Sequence, residues 1–575
     1  MRLRLLLLLV VFQVVSGLAQ QPKIIHAPTQ SNSAIAKAVI RSLTLRQKIA
    51  QLIVVTSYGE VPRNRSAEAV RLHHAVAELG VGGLIVINRV DRYGVVQSAQ
   101  PYEMITSLNG MQKMARLPLI VGGDFERGAS MRVTNTTKYP HNMAFNAAGD
   151  FAATRELGAA TAREARAVGV HWVFAPVTDV NNNPDNPIIN IRSFGEKPQE
   201  VAAHVKAFIA GANSDPANPI LLCAKHFPGH GDTVVDSHMQ MARINGTREQ
   251  MDHMELLPFR AAIGSNVGSI MTAHIAVPSI EPEEIPATVS RNVMTKLLRD
   301  ELKFQGLVVT DAMDMQGLSR LFSPGEAAVR ALDAGVDILL MPKNPDAVIA
   351  AIEKAILTKR LNLARIETSV EKLLVAKLQL GLFKNRFVNM DLAAKVLDQP
   401  EDLLKAQTVA NHAVAMFKND GNLIPLRNSD NACFVALAER RMTTQGLQFT
   451  EEMEKLSPKS SKVLLDPTMP QGAMDETLEK SKTCGTIVIA AFVSVGAYRG
   501  DTALPGMFTA LVQAFIKTGR PVILISLGNP YLLRTFPDVA AYITTYSPTV
   551  LSEIAAARAV VGEIPITGRM VVSLK

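Results

Sequence analysis

Cysteine and tryptophan are scarce in this sequence. Its 575 residues include three cysteines and one tryptophan. So few cysteines exclude a disulfide-framework protein, and none forms a CxxC pair typical of zinc or redox motifs. Cys223, Cys433 and Cys484 each lie in or beside an apolar run. Neighbouring strands could bring the last two together, but we interpret all three as core thiols.

Features of several other protein classes are also missing. The formal net charge is +8, yet lysines and arginines form no stripe interleaved with aromatic residues, so no nucleic-acid partner is expected. Past residue 19, no apolar stretch is typical of a membrane span. The hydrophobic fraction of 47% indicates a globular protein, and the length predicts two domains.

Residues 1–19 have the pattern of a secretory signal peptide. Two arginines, Arg2 and Arg4, precede the apolar run 5–15, and small residues such as Gly17 and Ala19 follow it. A basic start, a short apolar core and small residues before the cut are typical of export signals. We therefore expect a periplasmic or extracellular protein with no integral membrane span after signal removal. An uncleaved anchor is the alternative.

Eight short apolar runs alternate with amphipathic stretches between residues 45 and 385. The runs are 51–55, 82–87, 117–122, 170–176, 219–224, 268–272, 306–310 and 337–341. Continuous apolar runs between helical stretches are typical of buried parallel strands. Eight such units predict an α/β fold of the (β/α)8 TIM-barrel type.

A second pattern begins near the turn signal at residues 419–422. Its apolar runs are 432–436, 486–493, 521–526 and 540–545, and helical stretches separate them. This predicts a smaller α/β (αβα) sandwich with a largely parallel sheet and no glycine-rich phosphate loop. We predict a signal peptide at 1–19, a barrel at 20–390, a linker at 391–410 and the sandwich at 411–575.

Polar residues gather where the predicted barrel strands end. They are Asp124 and Glu126 after the third run, Thr178 and Asp179 after the fourth, Lys225 and His226 after the fifth, His274 after the sixth and Asp311 after the seventh. Residues beyond the carboxyl ends of barrel strands line the active site. Five strand ends therefore predict one site at one mouth.

Segment 225–238 reads Lys-His-Phe-Pro-Gly-His-Gly-Asp-Thr-Val-Val-Asp-Ser-His. One interpretation is a metal site built on His226, His230 and His238, but the Pro-Gly pair between the first two disfavours a helix that would carry the ligands. The other is a metal-free site in which Asp236 orients His238. Residues i and i+2 of an extended loop point the same way. A nearby carboxylate favours the protonated form of an imidazole, which can then act as a general acid.

Asp311 directly follows the seventh apolar run. It could cap a helix N-terminus or serve as a nucleophile toward an anomeric carbon. The polar residues on four other strand ends favour the nucleophile. We interpret Asp314 as a first-turn acid of the following helix.

These segments resemble glycoside hydrolase family 3, and within it the β-N-acetylglucosaminidase branch. The resemblance is carried by 225–233, by Asp-Ser-His at 236–238 and by Val-Val-Thr-Asp-Ala-Met at 308–313. It extends across the barrel and into the second domain at 419–426, 528–531 and 556–568.

The resemblance implies a role for each candidate residue. Asp311 corresponds to the nucleophile, His238 with Asp236 to the acid/base, Lys225, His226 and Arg192 to residues that bind the terminal sugar, Asp124 to the carboxylate that holds sugar hydroxyls, and His274 to a residue lining the site. The branch often reads Asp-Gln-Glu-Gly-Gly-Arg after the third strand, whereas residues 124–132 here place the arginines differently. Arg127 and Arg132 are therefore both candidate contacts.

The expected activity is that of a retaining exo-β-N-acetylglucosaminidase acting on cell-wall fragments or chitin oligosaccharides, with no cofactor and no metal. A β-glucosidase or a phosphorylase of the same fold is the first alternative. A non-catalytic glycan-binding barrel and a metallohydrolase are the others. The sequence does not predict an oligomeric state.

Overall fold

The computed structural model describes residues 30–90 and 96–574. The predicted signal peptide, residues 1–19, lies outside the described residues. Eight parallel strands form the first sheet. They are β1 Ile53–Ser57, β2 Gly83–Val86, β3 Ile120–Gly123, β4 Trp172–Val173, β5 Leu221–Phe227, β6 Ser269–Thr272, β7 Leu307–Val309 and β8 Leu339–Leu340. Their spatial order is β7, β6, β5, β4, β3, β2, β1 and β8. A parallel bridge between Val309 and Ile338 joins β7 to the segment leading into β8.

Helices surround this sheet and connect its strands. They are Gln30–Ser42, Leu45–Gln51, Ala67–His73, His74–Leu79, Pro101–Met114, Asn142–Ala148, Phe151–Ala167, Pro198–Ala212, Arg248–His253, Leu256–Gly264, Asn292–Glu301, Gln316–Ser319, Pro324–Ala334, Pro345–Leu357 and Leu363–Gln379. Local sequence fixes their ends. Asp150 accepts hydrogen bonds from two backbone N–H groups at the start of one helix, and Pro198 occupies the first turn of another. The TIM-barrel prediction is confirmed.

Short segments complete the barrel half of the chain. Short 3-10 turns lie at Ala129–Met131, Asn190–Arg192 and Ala287–Val289, and two-residue strands lie at Arg89–Val90, Val96–Gln97, Ala242–Arg243 and Ile275–Ala276. Inside the barrel, the fully buried Trp172 donates its indole N–H to Ser269 Oγ at 2.7 Å. Two adjacent helices, Met390–Ala393 and Pro400–His412, lead on to the second sheet.

The second sheet has six strands and helices on both faces. The strands are β9 Ala415–Asn419, β10 Ala432–Leu437, β11 Ser461–Leu465, β12 Thr486–Val493, β13 Val522–Gly528 and β14 Ala541–Thr544, and the helices are Leu447–Leu456, Gln471–Ser481, Phe508–Lys517, Leu532–Thr535 and Val550–Val561, with 3-10 turns at Asp420–Asn422 and Ser429–Asn431. The spatial order is β9, β14, β13, β12, β10 and β11. Only the β9–β14 pair of this sheet is antiparallel. The sandwich prediction is confirmed.

The prediction of three core thiols is wrong for two of them. Cys433 and Cys484 form a disulfide, and Cys223 is a buried free thiol. Cys433 lies in β10 and Cys484 just before β12, and these strands are neighbours, so sheet order brings the two sulfurs together. Within residues 30–90 and 96–574, no helix is both long and apolar enough to cross a membrane.

Candidate active site

A cleft of about 1060 Å³ opens at the carboxyl end of the barrel. The barrel contributes Asp124, Glu126, Arg127, Arg132, Arg192, Lys225, His226, His238, Asp311 and Asp314 to its lining, and the second domain contributes Glu439, Arg440, residues 494–499, Asp501 and residues 503–506. The site therefore lies between the two domains.

An ionic cluster forms the floor of this cleft around Lys225. The lysine is 2% exposed, and its Nζ lies 2.7 Å from both Asp124 Oδ1 and Glu126 Oε1. Arg132 donates to Asp124 Oδ2 at 3.0 Å. Arg192 donates to both oxygens of Glu126 at 2.7 and 3.0 Å. Two carboxylates and three cations thus interlock in a fixed arrangement.

The charges of this cluster are mutually stabilised. Burial by itself would raise the pKa of Asp124, but Lys225 and Arg132 outweigh it and lower that pKa to about 2. The pKa of Glu126 is held well below its usual range in the same way, because Arg192 and Lys225 offset its burial. These groups stay charged at neutral pH. They can present fixed donors and acceptors to a polyhydroxylated ligand.

A second group holds His226 beside this cluster. The ring Nδ1 lies 2.7 Å from Asp179 Oδ2, and the opposite ring nitrogen lies 3.4 Å from Arg192. Asp179 is fully buried and also accepts the backbone N–H groups of His226 and His230. The pKa of Asp179 is lowered because its interactions with His226 and His230 outweigh the effect of burial.

His230 stabilises the shape of its own loop. Its ring nitrogens lie 3.0 Å from Thr233 Oγ1 and 2.8 Å from Ser237 Oγ, so both are occupied within the loop. Asp232 accepts a hydrogen bond from Asn183 at 3.2 Å on the neighbouring loop. Neither side chain lines the cleft.

His238 and Asp236 form a pair at the side of the cleft. His238 Nδ1 lies 2.7 Å from Asp236 Oδ1, and the same oxygen accepts the backbone N–H of His238 at 2.9 Å. The His238 side chain is 21% exposed and that of Asp236 is 1% exposed. The imidazole can therefore meet a ligand while the carboxylate behind it fixes the ring.

Asp311 lies beyond β7 and faces the imidazoles. Its Oδ1 accepts the backbone N–H of Ala312 at 2.7 Å. Burial would raise its pKa, but His226, His274 and His238 together outweigh burial and lower it. The carboxylate is therefore ionised at neutral pH.

His274 lies behind Asp311 and is fully buried. Its ring nitrogens lie 2.8 Å from Thr288 Oγ1 and 3.1 Å from the Ala312 carbonyl oxygen. It is not among the residues that line the cleft. It supports the segment that carries Asp311.

Eight of the ten candidate site residues line the cleft, whereas Asp236 and His274 lie behind it. Of the two candidate arginines, Arg132 contacts Asp124, whereas Arg127 donates to the Tyr139 carbonyl oxygen at 3.4 Å. Asp314 is not a first-turn acid, because the next helix begins two residues later at Gln316, and it lines the cleft instead.

The sequence motifs assign no role to Glu126 or Asp179, although both residues follow apolar runs. They do not predict the contribution of the second-domain loop that contains Tyr498 either. Strand-end position was the available signal for the two carboxylates. For the loop, no signal existed in the residue types.

Comparison with known proteins assigns this architecture to a class. Residues 44–376 match the glycosyl hydrolase family 3 N terminal domain. The chain is 31% identical to beta-hexosaminidase A of Pseudoalteromonas piscicida, over 83% of this chain and 84% of that protein. It is 27% identical to a beta-N-acetylglucosaminidase/beta-glucosidase of Cellulomonas fimi, over 91% and 92% of the two chains.

A solved structure of a family 3 enzyme has the same fold. The structure of a family 3 beta-N-acetylglucosaminidase from Paenibacillus sp. FPU-7 superposes with a TM-score of 0.80 at 27% identity, covering 92% of this chain and 99% of that one. The fold and the site thus define a glycosidase whose substrate is a carbohydrate. The chain belongs to glycosyl hydrolase family 3.

Proposed function

We propose that this protein is a retaining exo-β-N-acetylglucosaminidase that releases terminal N-acetylglucosamine from cell-wall fragments or chitin-type oligosaccharides. The observation that carries the proposal is the partly exposed His238, held at 2.7 Å by buried Asp236, in the cleft that Asp311 also lines. Two carboxylates usually run this reaction. Here an imidazole takes the place of one of them. The names of the Pseudoalteromonas and Cellulomonas relatives support the choice of sugar.

In the first step, an oxygen of Asp311 bonds to the anomeric carbon while protonated His238 gives its proton to the glycosidic oxygen. The bond between that carbon and that oxygen breaks, and the leaving alcohol departs. In the second step, neutral His238 takes a proton from water, whose oxygen displaces Asp311 from the anomeric carbon. Two displacements retain the configuration. Asp236 orients the ring in both steps.

The ionic cluster is the proposed binding site for the terminal sugar. Asp124 can accept hydrogen bonds from sugar hydroxyls, while Arg132, Lys225 and Arg192 can donate to them. Because the cluster is already paired in the free protein, little reorganisation accompanies binding. His226 adds an imidazole face beside Arg192. No cofactor or metal enters this scheme.

We further infer that the enzyme works outside the cytoplasm, in the periplasm or the extracellular medium. The pattern of residues 1–19 supports this, and a Cys433–Cys484 disulfide suits an oxidising compartment. Amino-terminal sequencing of the protein from fractionated cells tests it. A full-length, intact amino terminus in the cytoplasmic fraction would contradict export.

A β-glucosidase is the second candidate, because the Cellulomonas relative is named for both activities. A panel of para-nitrophenyl N-acetylglucosaminide, glucoside and xyloside, assayed with and without phosphate, separates the possibilities. The proposal expects the highest kcat/KM on the N-acetylglucosaminide, a β-configured first product and no glycosyl phosphate. Faster turnover of the glucoside, or accumulation of glycosyl phosphate, would contradict it.

A further inference from the structure

One contact connects the proposed acid/base pair with the second domain. Asp236 Oδ1 serves His238, as described above. The other oxygen, Oδ2, accepts the backbone N–H of Tyr498 at 2.8 Å. The Asp236 side chain is 1% exposed, so this oxygen has little access to water. Tyr498 lies 262 positions further along the chain and in the other domain. The carboxylate that orients His238 is therefore shared between two domains.

The backbone at Tyr498 adopts a conformation that is uncommon for residues other than glycine. Its φ is 65°, in the left-handed region. Such a conformation persists only where the surroundings hold it. Tyr498 is 57% exposed, and its phenol ring lies edge-on to the His238 ring, with the centroids 5.2 Å apart. Both the N–H group and the ring thus face the acid/base pair.

One anchor, the Glu439–Arg499 ion pair, holds the loop on both sides of Tyr498. Glu439, which follows β10, accepts the backbone N–H and the hydroxyl of Ser494, each at 2.6 Å. It also forms an ion pair with Arg499, whose guanidinium donates to the carbonyl oxygens of Ser494 at 2.8 Å and Ala503 at 2.9 Å. Ser494 follows β12, the parallel neighbour of β10. Glu439 therefore holds the loop at Ser494, where the loop leaves β12, and at Arg499, the residue after Tyr498.

The Tyr498 N–H fixes the plane of the Asp236 carboxylate. Hydrogen bonds to an ionised group are stronger than neutral ones, and a buried charged oxygen that loses its partner bears a large desolvation cost. Without this N–H, Asp236 would be held from one side by a residue of its own loop. The imidazole would then sample more orientations, and proton transfer depends steeply on orientation.

We propose that the backbone N–H of Tyr498, held by the Glu439–Arg499 anchor, positions the Asp236–His238 pair, so that the second domain is part of the acid/base machinery. This rests on the proposed role of His238. The Tyr498 N–H, Glu439 and Arg499 act through His238 and are positioning groups. Loss of the Glu439–Arg499 anchor should therefore lower the rate in proportion to the need of the substrate for an acid.

The test compares Glu439→Gln with Glu553→Gln, which makes the same substitution at another buried residue of the same domain. Glu553 is 1% exposed and accepts the Phe449 N–H at 2.9 Å, so it joins the two helices Val550–Val561 and Leu447–Leu456. Each variant is assayed on two aryl β-glycosides of the sugar that the wild-type enzyme prefers. One carries a dinitrophenyl leaving group and the other a para-methoxyphenyl leaving group. Glu439→Gln should lower kcat/KM at least about tenfold on the methoxyphenyl substrate and less than about threefold on the other. Glu553→Gln should leave the ratio of the two unchanged.

Two further variants assign the effect to the N–H. Tyr498→Gly keeps the N–H and accepts the positive φ, so it should retain the wild-type ratio within about threefold. In a His238→Ala background, Glu439→Gln should not change the ratio further. If Glu439→Gln does not fold, as its melting temperature would show, Arg499→Ala removes the other half of the anchor and should give the same selective loss.

Equal losses on both substrates in the anchor variants would overturn the inference. So would a Tyr498→Gly variant that reproduces the selective loss, because the ring would then be responsible. Failure of the proposed function is distinguishable. It would appear as a wild-type enzyme that prefers another sugar or shows no difference from His238→Ala, before any anchor variant is measured.

Discussion

Two histidine–aspartate pairs lie at the mouth of this barrel with the same separation. His226 Nδ1 lies 2.7 Å from Asp179, and His238 Nδ1 lies 2.7 Å from Asp236. Their access to the cleft differs. The His226 side chain is 7% exposed and that of His238 is 21% exposed. The pair distance alone therefore does not assign a role, whereas access to the ligand separates the two.

The carboxylates of the two pairs are also held differently. Asp179 follows another barrel strand and accepts two backbone N–H groups from segment 225–238. Asp236 lies on the same loop as its histidine and receives its remaining hydrogen bond from Tyr498 of the second domain. The first pair is built into the barrel, which suits binding. The second depends on a loop and on another domain, which suits a group that changes its protonation in each step.

The largest expected effect is at Asp311, the carboxylate that both pairs face. Asp311→Asn keeps the shape but removes the nucleophile, so kcat on an aryl N-acetylglucosaminide should fall by more than about 10⁴-fold. Asp314→Asn, which changes another carboxyl group of the same cleft, should stay within about tenfold of wild type. A near wild-type rate in Asp311→Asn would show that Asp311 is not the nucleophile.

The next effect separates the two histidines. His238→Ala should slow a substrate with a poor leaving group by about 10²–10⁴-fold, because that alcohol needs a proton as it departs. A dinitrophenyl glycoside needs none and should lose less than about tenfold in its glycosylation step, measured by pre-steady-state release of dinitrophenol. Equal losses on the two substrates would show that His238 does not act as the acid.

The pair predicted from sequence was the one whose members are close along the chain. Asp236 and His238 are two positions apart, so the alternation of an extended loop was enough to predict their pairing. Asp179 follows β4, whereas His226 lies near the carboxyl end of β5. Sequence placed both at one mouth, but only the barrel geometry shows that they touch. The Tyr498 contact uses a backbone N–H, which every residue except proline carries, so no residue type could signal it.

The strands also differ in how well the sequence predicts them. The eight barrel strands are rich in apolar residues because both faces are buried, and the predicted runs overlap all of them. β9 and β11 were missed because they lie at the sheet edges and carry exposed or half-buried residues. The Cys433–Cys484 disulfide was missed for a related reason. It requires that β10 and β12 be neighbours, and the residues of the two strands do not predict the order of strands in the sheet.

A smaller effect is expected at His226. His226→Ala removes a group that contacts Arg192, so sugar binding should weaken about ten- to a hundredfold in kcat/KM. The loss should be equal for good and poor leaving groups, because His226 gives no proton to the departing alcohol. The same pair of aryl substrates used for His238→Ala measures it. A loss confined to poor leaving groups would make the two histidines equivalent and erase the proposed distinction.

The smallest expected effect is a pH-dependent loss of fold stability when Asp179 or Asp236 is replaced. The pKa of Asp179 is lowered because its interactions with His226 and His230 outweigh burial. A carboxyl group with a lowered folded-state pKa stabilises the fold above its unfolded pKa, and that stability is lost as pH falls through the folded pKa. Asp179→Asn should therefore cost about 2 kcal/mol of unfolding free energy at pH 6, and the gap from wild type should narrow below about pH 4.

Asp236→Asn provides the matched control for this prediction. The pKa of Asp236 is also lowered, since hydrogen bonds from His238 and Tyr498 outweigh burial, so its contribution to stability has the same sign. It accepts one backbone N–H from its own loop and one from the second domain, and therefore anchors less of the barrel. Asp236→Asn should lower the melting temperature less than Asp179→Asn while lowering turnover of poor leaving groups more. If the two variants rank the same way in both measurements, the barrel-bound and loop-bound pairs do not divide binding from proton transfer.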